Sequence, residues 1–158
     1  MPGNFLTQPD ADFTSTMDQV YFTSLWTARA ATRRLLLSPP TPATSTPAPK
    51  LVFTASILSF MSFAGYSSYA PAKYALRGLA DSLRNELQWL GVDVHTFFPT
   101  GIKSPGFEVE EARKPEVCKT VEGSDLPITP MQCAQHLLAG ASLHSARLRP
   151  ARSCECIS

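Results

Sequence analysis

The sequence lacks a strong charge of either sign and lacks a recognisable export signal. Its 158 residues include 14 basic and 13 acidic side chains, which gives a formal net charge of +1. Proteins that bind nucleic acid usually carry a basic surface, so we expect no nucleic-acid partner. The first residues contain no basic segment followed by an apolar core, so no secretory signal peptide is predicted.

Cysteine is also scarce, and its spacing does not favour a metal site. The four cysteines are Cys118, Cys133, Cys154 and Cys156. A structural zinc site needs four cysteine or histidine ligands at regular spacing, and no histidine accompanies the Cys154–Cys156 pair. We therefore predict no metal, and we expect the cysteines to be free thiols in a reducing compartment.

One uncharged run, Leu51 to Ala72, is long enough to cross a bilayer. It contains six serine and threonine residues as well as a glycine and a proline, and it opens with β-branched and aromatic residues. This composition favours a buried strand followed by an apolar loop. We therefore predict no membrane span, and judged on its own residues the chain is expected to be cytoplasmic.

The order of predicted elements indicates an α/β fold in a single domain. The elements are a helix over 17–36 opened by a Ser15–Asp18 capping box, a proline-rich linker over 38–50, a strand over 51–56, a helix over 71–90 ended by Gly91, a strand over 92–98, a loop from Pro99 to Pro127, and a helix from Thr129–Pro130 to Gly140. Alternating helices and strands predict a doubly wound parallel sheet, with ligands at the carboxyl ends of the strands. The domain is assigned to residues 1–140, with 38–50 as an insertion and 141–158 as a disordered tail.

Three polar side chains in the uncharged run have a spacing that suits proton transfer. Ser56 ends the first strand, and Tyr69 and Lys73 are four residues apart, so on a helix they share one face. A nearby ammonium favours a phenolate and lowers the pKa of a tyrosine, which lets the phenol exchange protons with an alcohol or carbonyl oxygen. Ser56 can hydrogen-bond the same oxygen. The alternative is that all three are structural members of a strand and a helix.

In this context Ser56, Tyr69 and Lys73 resemble the active site of the short-chain dehydrogenases/reductases, which have a Rossmann fold and use NAD(P). The segment FPTGIKSPGF resembles the one after that family's next strand, although Thr100 stands where glycine is usual. The resemblance implies that Tyr69 and Lys73 contact the cofactor and that Ile102 and Ser104 lie against its nicotinamide ring.

Longer stretches, YAPAKYALRGLADSLRNEL and SPGFEVEEARKPE, resemble the branch of that family that reduces 3-ketodihydrosphingosine. This resemblance implies NADPH as cofactor, a long-chain keto-amine lipid as substrate, and a location on the cytosolic face of the endoplasmic reticulum. Phe60, Met61, Phe63 and Phe107 would suit such a substrate. The family also implies association with a second copy or a longer homologue.

The glycine-rich cofactor turn of that family has no counterpart in this sequence, since neither G-x-x-x-G-x-G nor G-x-G-x-x-G occurs. Val20 stands where the family's helix asparagine is expected. We therefore expect a partial Rossmann-like domain without its N-terminal half, as in a truncated gene product. The alternative function is a catalytically inactive fragment that acts at most as an interaction partner.

Overall fold

The N-terminal part of the chain is one continuous helical run. The computed structural model describes residues 2–37, 48–122 and 127–144. Helix α1 (Asp10–Met17) continues through a π-helical turn (Asp18–Phe22) into α2 (Thr23–Leu37). The predicted capping box is wrong, because the helix begins seven residues before residue 17 and Ser15 bonds back to the Asp12 carbonyl. Asp10 and Asp12 in the first turn favour this earlier start through the helix dipole.

Two parallel strands form the sheet of the described residues. Strand β1 (Lys50–Thr54) pairs with β2 (Asp93–Phe97), with Lys50 opposite Asp93 and Thr54 opposite Phe97. Helix α3 (Tyr69–Leu87) is the crossover between them, followed by a 3₁₀ turn (Gln88–Leu90). The predicted strands, their parallel pairing and the α/β class are therefore confirmed, with each strand somewhat shorter than predicted.

The main core lies between α3 and one face of this sheet. Alternate side chains of a strand share a face, so Leu51 and Phe53 of β1 point toward the helices together with Val94 of β2. From α3, Leu76, Ala80 and Leu87 pack against them at the three- and four-residue spacing of a helix. Gly91 ends this helical segment in the left-handed region, at φ 73°, as predicted.

The predicted loop over residues 99–127 is wrong, because two helices occupy much of it. Helix α4 (Pro105–Arg113) is capped by Ser104, whose hydroxyl accepts a hydrogen bond from the Phe107 amide at 3.1 Å, with Pro105 in the first turn. Helix α5 (Glu116–Glu122) follows after Pro115.

The last described helix, α6 (Pro130–His144), begins as predicted and ends later than predicted. The Gln132 side chain accepts from both the Thr129 amide and the Thr129 hydroxyl, at 3.0 and 2.9 Å. The helix continues past Gly140 because a single glycine costs only about 1 kcal/mol in a helix. Residues 38–47 of the predicted linker, and the predicted tail beyond His144, lie outside the described residues.

Helix α6 covers part of the second face of the sheet. The Lys50 ammonium donates to the Ala141 carbonyl, and a cavity of about 480 Å³ remains between the sheet and α6, lined in part by Val52, Phe97 and Leu137. Among the described residues, none of the helices combines the length and the apolar character needed to cross a membrane.

Candidate active site

The three predicted site residues meet at the carboxyl edge of the sheet. After β1, the Ala55 amide donates to the Phe97 carbonyl at 2.8 Å, which keeps the chain beside β2 for one more residue. Ser56 is extended (φ −162°), and its hydroxyl accepts from the Leu58 amide at 3.2 Å, which starts a 3₁₀ turn (Ile57–Ser59). Ser56 is therefore fixed where the strand ends.

Tyr69 and Lys73 lie on the first turn and a half of α3. The Ser56 side chain lies close enough to the Tyr69 hydroxyl for hydrogen bonding between them to lower the pKa of Tyr69 in part. The Lys73 ammonium donates to the Thr54 carbonyl at 3.2 Å and lies 5.5 Å from the centre of the Tyr69 ring. All three side chains are half-buried. The geometry thus joins a serine, a tyrosine and a lysine that are up to 17 positions apart in sequence.

The electrostatics of Tyr69 differ from the expectation. The pKa of Tyr69 is raised to about 12, mainly by burial and to a smaller extent by the negative charge of Glu110. Hydrogen bonding from Ser56 lowers this pKa only in part. The expected lowering by Lys73 is not seen, because its ammonium faces the Thr54 carbonyl. Burial also lowers the pKa of Lys73. In this arrangement Tyr69 is protonated at neutral pH and has a proton available to donate.

The segment between Ser56 and Tyr69 is held by a second, smaller core. Leu58, Tyr66 and Ala70 pack with Cys118 of α5, and Phe63 and Tyr69 border this cluster. The Cys118 thiol contacts the Ala64 carbonyl at 2.9 Å, and Gly65 is in the left-handed region at φ 91°. A Cβ at Gly65 would collide with the Cys118 sulfur. Cys118 and Cys133 are both buried, and neither forms a disulfide within the part of the chain that the structure describes.

The segment after β2 lies at the same edge of the sheet. Ile102 forms a parallel bridge with Ile128, since the Lys103 amide donates to the Ile128 carbonyl and the Ile128 amide to the Gly101 carbonyl, each at 2.9 Å. Ser104 is exposed and caps α4. A Cβ at Gly101 would come within 3.1 Å of the Phe107 ring, so a side chain there would require that ring to shift by a few tenths of an ångström. The roles of Ile102 and Ser104 beside a nicotinamide remain predictions.

The apolar side chains expected to suit a long-chain substrate do not form a single patch. Phe60 stacks near Phe98, with ring centres 4.5 Å apart, and the Arg77 guanidinium lies 4.1 Å from the Phe60 ring. Met61 is 47% exposed, whereas Phe63 packs against the smaller core. Phe107 lies on α4, with the Lys114 ammonium 5.6 Å from its ring.

Sequence reasoning missed two residues that border the site, Tyr66 and Glu110. The Tyr66 ring is 6.2 Å from the Tyr69 ring, and its hydroxyl donates to Glu110 Oε1 at 3.4 Å. Glu110 comes from α4, which lies within the predicted loop. The overlooked signal was Ser104–Pro105 followed by Glu108, the start of a helix.

Val20 also has a structural explanation. It lies in the π-helical turn, partly buried against the main core, and its carbonyl accepts from the Ser24 hydroxyl at 2.7 Å. A valine at this position contributes packing and offers no side-chain hydrogen bond to the site.

A strand-end serine, a helical Tyr–Lys pair and a parallel sheet are together typical of a dehydrogenase, and comparison with known families agrees. A family model described as "short chain dehydrogenase" matches residues 1–115. The chain belongs to this family.

Individual curated relatives indicate which branch of the family the chain is similar to. The chain is 48% identical over 124 residues to a 3-ketodihydrosphingosine reductase of Cryptococcus neoformans, an alignment that covers 78% of this chain and 35% of the relative. It is 39% identical over 156 residues to a 3-ketodihydrosphingosine reductase of Aspergillus fumigatus, covering 88% and 42%. The chain therefore spans less than half the length of these relatives.

Solved structures show the same fold. A putative 2-deoxy-d-gluconate 3-dehydrogenase from Agrobacterium tumefaciens, with bound NADP, superposes with a TM-score of 0.65 at 22% identity, covering 92% of this chain and 56% of that one. At this identity the likeness shows the fold alone. It confirms that the elements described above form part of a Rossmann-like domain.

Proposed function

We propose that this chain carries the proton-transfer site of an NADPH-dependent reductase that converts 3-ketodihydrosphingosine to dihydrosphingosine in sphingolipid biosynthesis. The observation that carries the proposal is that Ser56, just after the carboxyl end of β1, lies at the same edge as Tyr69 and Lys73 on the first turns of α3, where the Lys73 ammonium donates to the Thr54 carbonyl and lies 5.5 Å from the centre of the Tyr69 ring. The curated relatives bear the name of this activity.

The state of Tyr69 suits reduction of a ketone. A bound nicotinamide cofactor supplies the hydride, which no side chain can provide. Ser56 donates a hydrogen bond to the carbonyl oxygen as negative charge develops there. Tyr69, protonated at neutral pH because its pKa is about 12, then gives its proton to that oxygen. The transfer is downhill because an alkoxide is more basic than a phenolate.

The N–H donors of the Lys73 ammonium suit hydrogen bonding to the ribose of such a cofactor. An ammonium has three N–H donors, and the hydrogen bond recorded for Lys73 within the described residues goes to the Thr54 carbonyl. Its ammonium lies 5.5 Å from the centre of the Tyr69 ring, so ribose hydroxyls bound beside Tyr69 would be within reach as acceptors. Burial lowers the pKa of Lys73, and hydrogen bonds to the Thr54 carbonyl and to ribose hydroxyls would offset this by favouring the charged ammonium.

The substrate sets the location that we propose. A long-chain keto-amine partitions into membranes, so an enzyme that reduces it must meet it at a membrane surface. Together with the cytosolic supply of NADPH, this supports a place on the cytosolic face of the endoplasmic reticulum.

Calorimetric titration of the 158-residue chain with NADPH tests the proposal. We expect saturable binding in the micromolar range that weakens about 10- to 100-fold in Lys73→Ala, the range of one charge-assisted hydrogen bond of about 1.5–3 kcal/mol. Lys119→Ala, which removes a surface lysine paired with Glu116 on α5, is the matched control and should leave the affinity unchanged. Absence of saturable binding, or equal affinity in Lys73→Ala, would refute the proposal and leave a non-catalytic fragment.

A further inference from the structure

The solvent-facing side of helix α2 carries a stripe of basic and large apolar side chains. Side chains spaced three or four residues apart share one side of a helix. Starting at the last residue of the π-helical turn, this spacing selects a set of exposed residues, namely Phe22, Trp26, Arg29, Arg33 and Leu37. Trp26 is 55% exposed and Leu37 is 82% exposed. We call this set the α2 stripe.

The opposite side of α2 is occupied by the protein itself. Ala28 belongs to the main core, together with Leu76, Ala80 and Leu87 of α3. A free amphipathic helix usually binds in a groove that holds its apolar side. Helix α2 cannot be enclosed in this way, because its Ala28 side already packs against the rest of the fold. The α2 stripe is therefore accessible to a partner with a broad, flat surface.

The α2 stripe is positively charged and has no acidic residue beside it in sequence. After Asp18, no aspartate or glutamate occurs up to the end of α2 at Leu37. The Arg29 guanidinium lies 6.0 Å from the centre of the Trp26 ring. Within residues 2–37, 48–122 and 127–144, neither Arg29 nor Arg33 forms an ion pair with a carboxylate. The stripe is therefore complementary to a partner that supplies negative charge.

A lipid surface is flat, carries phosphate groups and has an apolar layer below them. Tryptophan is enriched at the boundary between lipid and water, and helices that combine arginine with large apolar side chains lie in the plane of that boundary. We propose that the α2 stripe binds the surface of a membrane that contains anionic lipid. Trp26 and Leu37 lie at the boundary between headgroups and acyl chains, and the two arginines donate hydrogen bonds to lipid phosphates.

A second copy of the chain fits the α2 stripe less well. In a symmetric dimer the same patch of both copies meets, so Arg29 and Arg33 of one copy would approach positive charge on the other. The membrane contact goes beyond the proposed function and does not require NADPH to bind. It would bring a reductase to the surface where a long-chain substrate resides.

Vesicle binding by the 158-residue chain tests the proposal, with Trp89→Phe as the parent so that Trp26 is the single tryptophan. The probes are vesicles of phosphatidylcholine with phosphatidylserine and vesicles of phosphatidylcholine alone, and the readouts are co-sedimentation and Trp26 emission. We expect the parent to prefer the anionic vesicles, with a shift of the emission to shorter wavelength. Arg29→Gln combined with Arg33→Gln should weaken this binding about 25-fold, since each basic residue near an anionic surface contributes about 1 kcal/mol.

The matched control, Lys103→Gln combined with Lys119→Gln, removes the same charge from exposed positions outside α2 and should bind about as tightly as the parent. No binding to anionic vesicles, equal binding to both kinds of vesicle, or an equal loss in the arginine and lysine double variants would overturn the inference. A doubled mass in analytical ultracentrifugation without vesicles, accompanied by the same emission shift, would overturn it in favour of contact between copies. If binding depends on the arginines but NADPH does not bind, the membrane surface stands and the reductase function fails.

Discussion

The raised pKa of Tyr69 predicts that the protein loses stability at high pH. The loss comes from ionisation of the Tyr69 hydroxyl group. In the folded chain the phenol titrates at about 12, because burial and the charge of Glu110 disfavour the phenolate. In the unfolded chain a tyrosine titrates near pH ~10. Between these values the unfolded chain loses its proton first, so the free energy of unfolding falls as the pH rises.

The size of the effect follows from the shift. One pKa unit corresponds to about 1.4 kcal/mol, so the full contribution is about 3 kcal/mol once the pH exceeds both values. At pH ~11, midway through the window, about half of it is lost. Tyr69→Phe removes the ionising group, so this component of the pH dependence should disappear.

Denaturant unfolding at pH ~8 and pH ~11, followed by tryptophan fluorescence, measures the difference. We expect the wild type to lose about 1 to 2 kcal/mol more than Tyr69→Phe between these pH values. Tyr74→Phe, which removes a ring that is 43% exposed on the same helix, should behave as the wild type. An equal pH dependence of the free energy of unfolding in wild type and Tyr69→Phe would refute the conclusion that burial and the charge of Glu110 raise the pKa of Tyr69.

Four further substitutions probe the main core, the smaller core and the cap of α6. Leu76→Ala should lower the free energy of unfolding by about 2–5 kcal/mol in denaturant unfolding, because the side chain is 2% exposed in the main core. Gly65→Ala should lower the free energy of unfolding by more than about 1 kcal/mol, because alanine is strained in the left-handed region and its Cβ would collide with the Cys118 sulfur. Adding Cys118→Ala should recover only the part of this loss that is due to the collision. Thermal unfolding of both single variants and the double variant measures the difference. Thr129→Ala should cost about 1 kcal/mol through loss of the α6 cap, measured by urea unfolding; no change would contradict the cap.

The local signals of strands and caps predicted much of the fold. The apolar, β-branched run before Ser56 predicted β1, and the leucine spacing with Gly91 predicted the body and end of α3. The Thr129–Gln132 cap was predicted because it depends on residues three positions apart. The start at Asp10 was missed because a capping box at Ser15 matched a pattern that also occurs inside a helix.

The proximity of the three candidate site residues was predictable from the sequence, whereas the pKa of Tyr69 was not. Ser56, Tyr69 and Lys73 were found from their spacing because strand-end and helix-face positions follow from local structure. The direction of the Tyr69 pKa shift was wrong because it depends on burial and on Glu110, which approaches through the packing of α4 near Tyr66. Such tertiary contacts leave no periodic signal in the sequence.

Hydride transfer to the substrate tests the central claim most directly. The 158-residue chain, supplied with NADPH deuterated at the transferring position and with 3-ketodihydrosphingosine, should form dihydrosphingosine that carries deuterium at the reduced carbon, detected by mass spectrometry. Tyr69→Phe should lower the rate about 100-fold or more, the range of a lost general acid, while Tyr74→Phe keeps it. Absence of labelled product from the wild-type chain, or equal rates in wild type and Tyr69→Phe, would contradict the assignment of Tyr69 as the proton donor of a reductase.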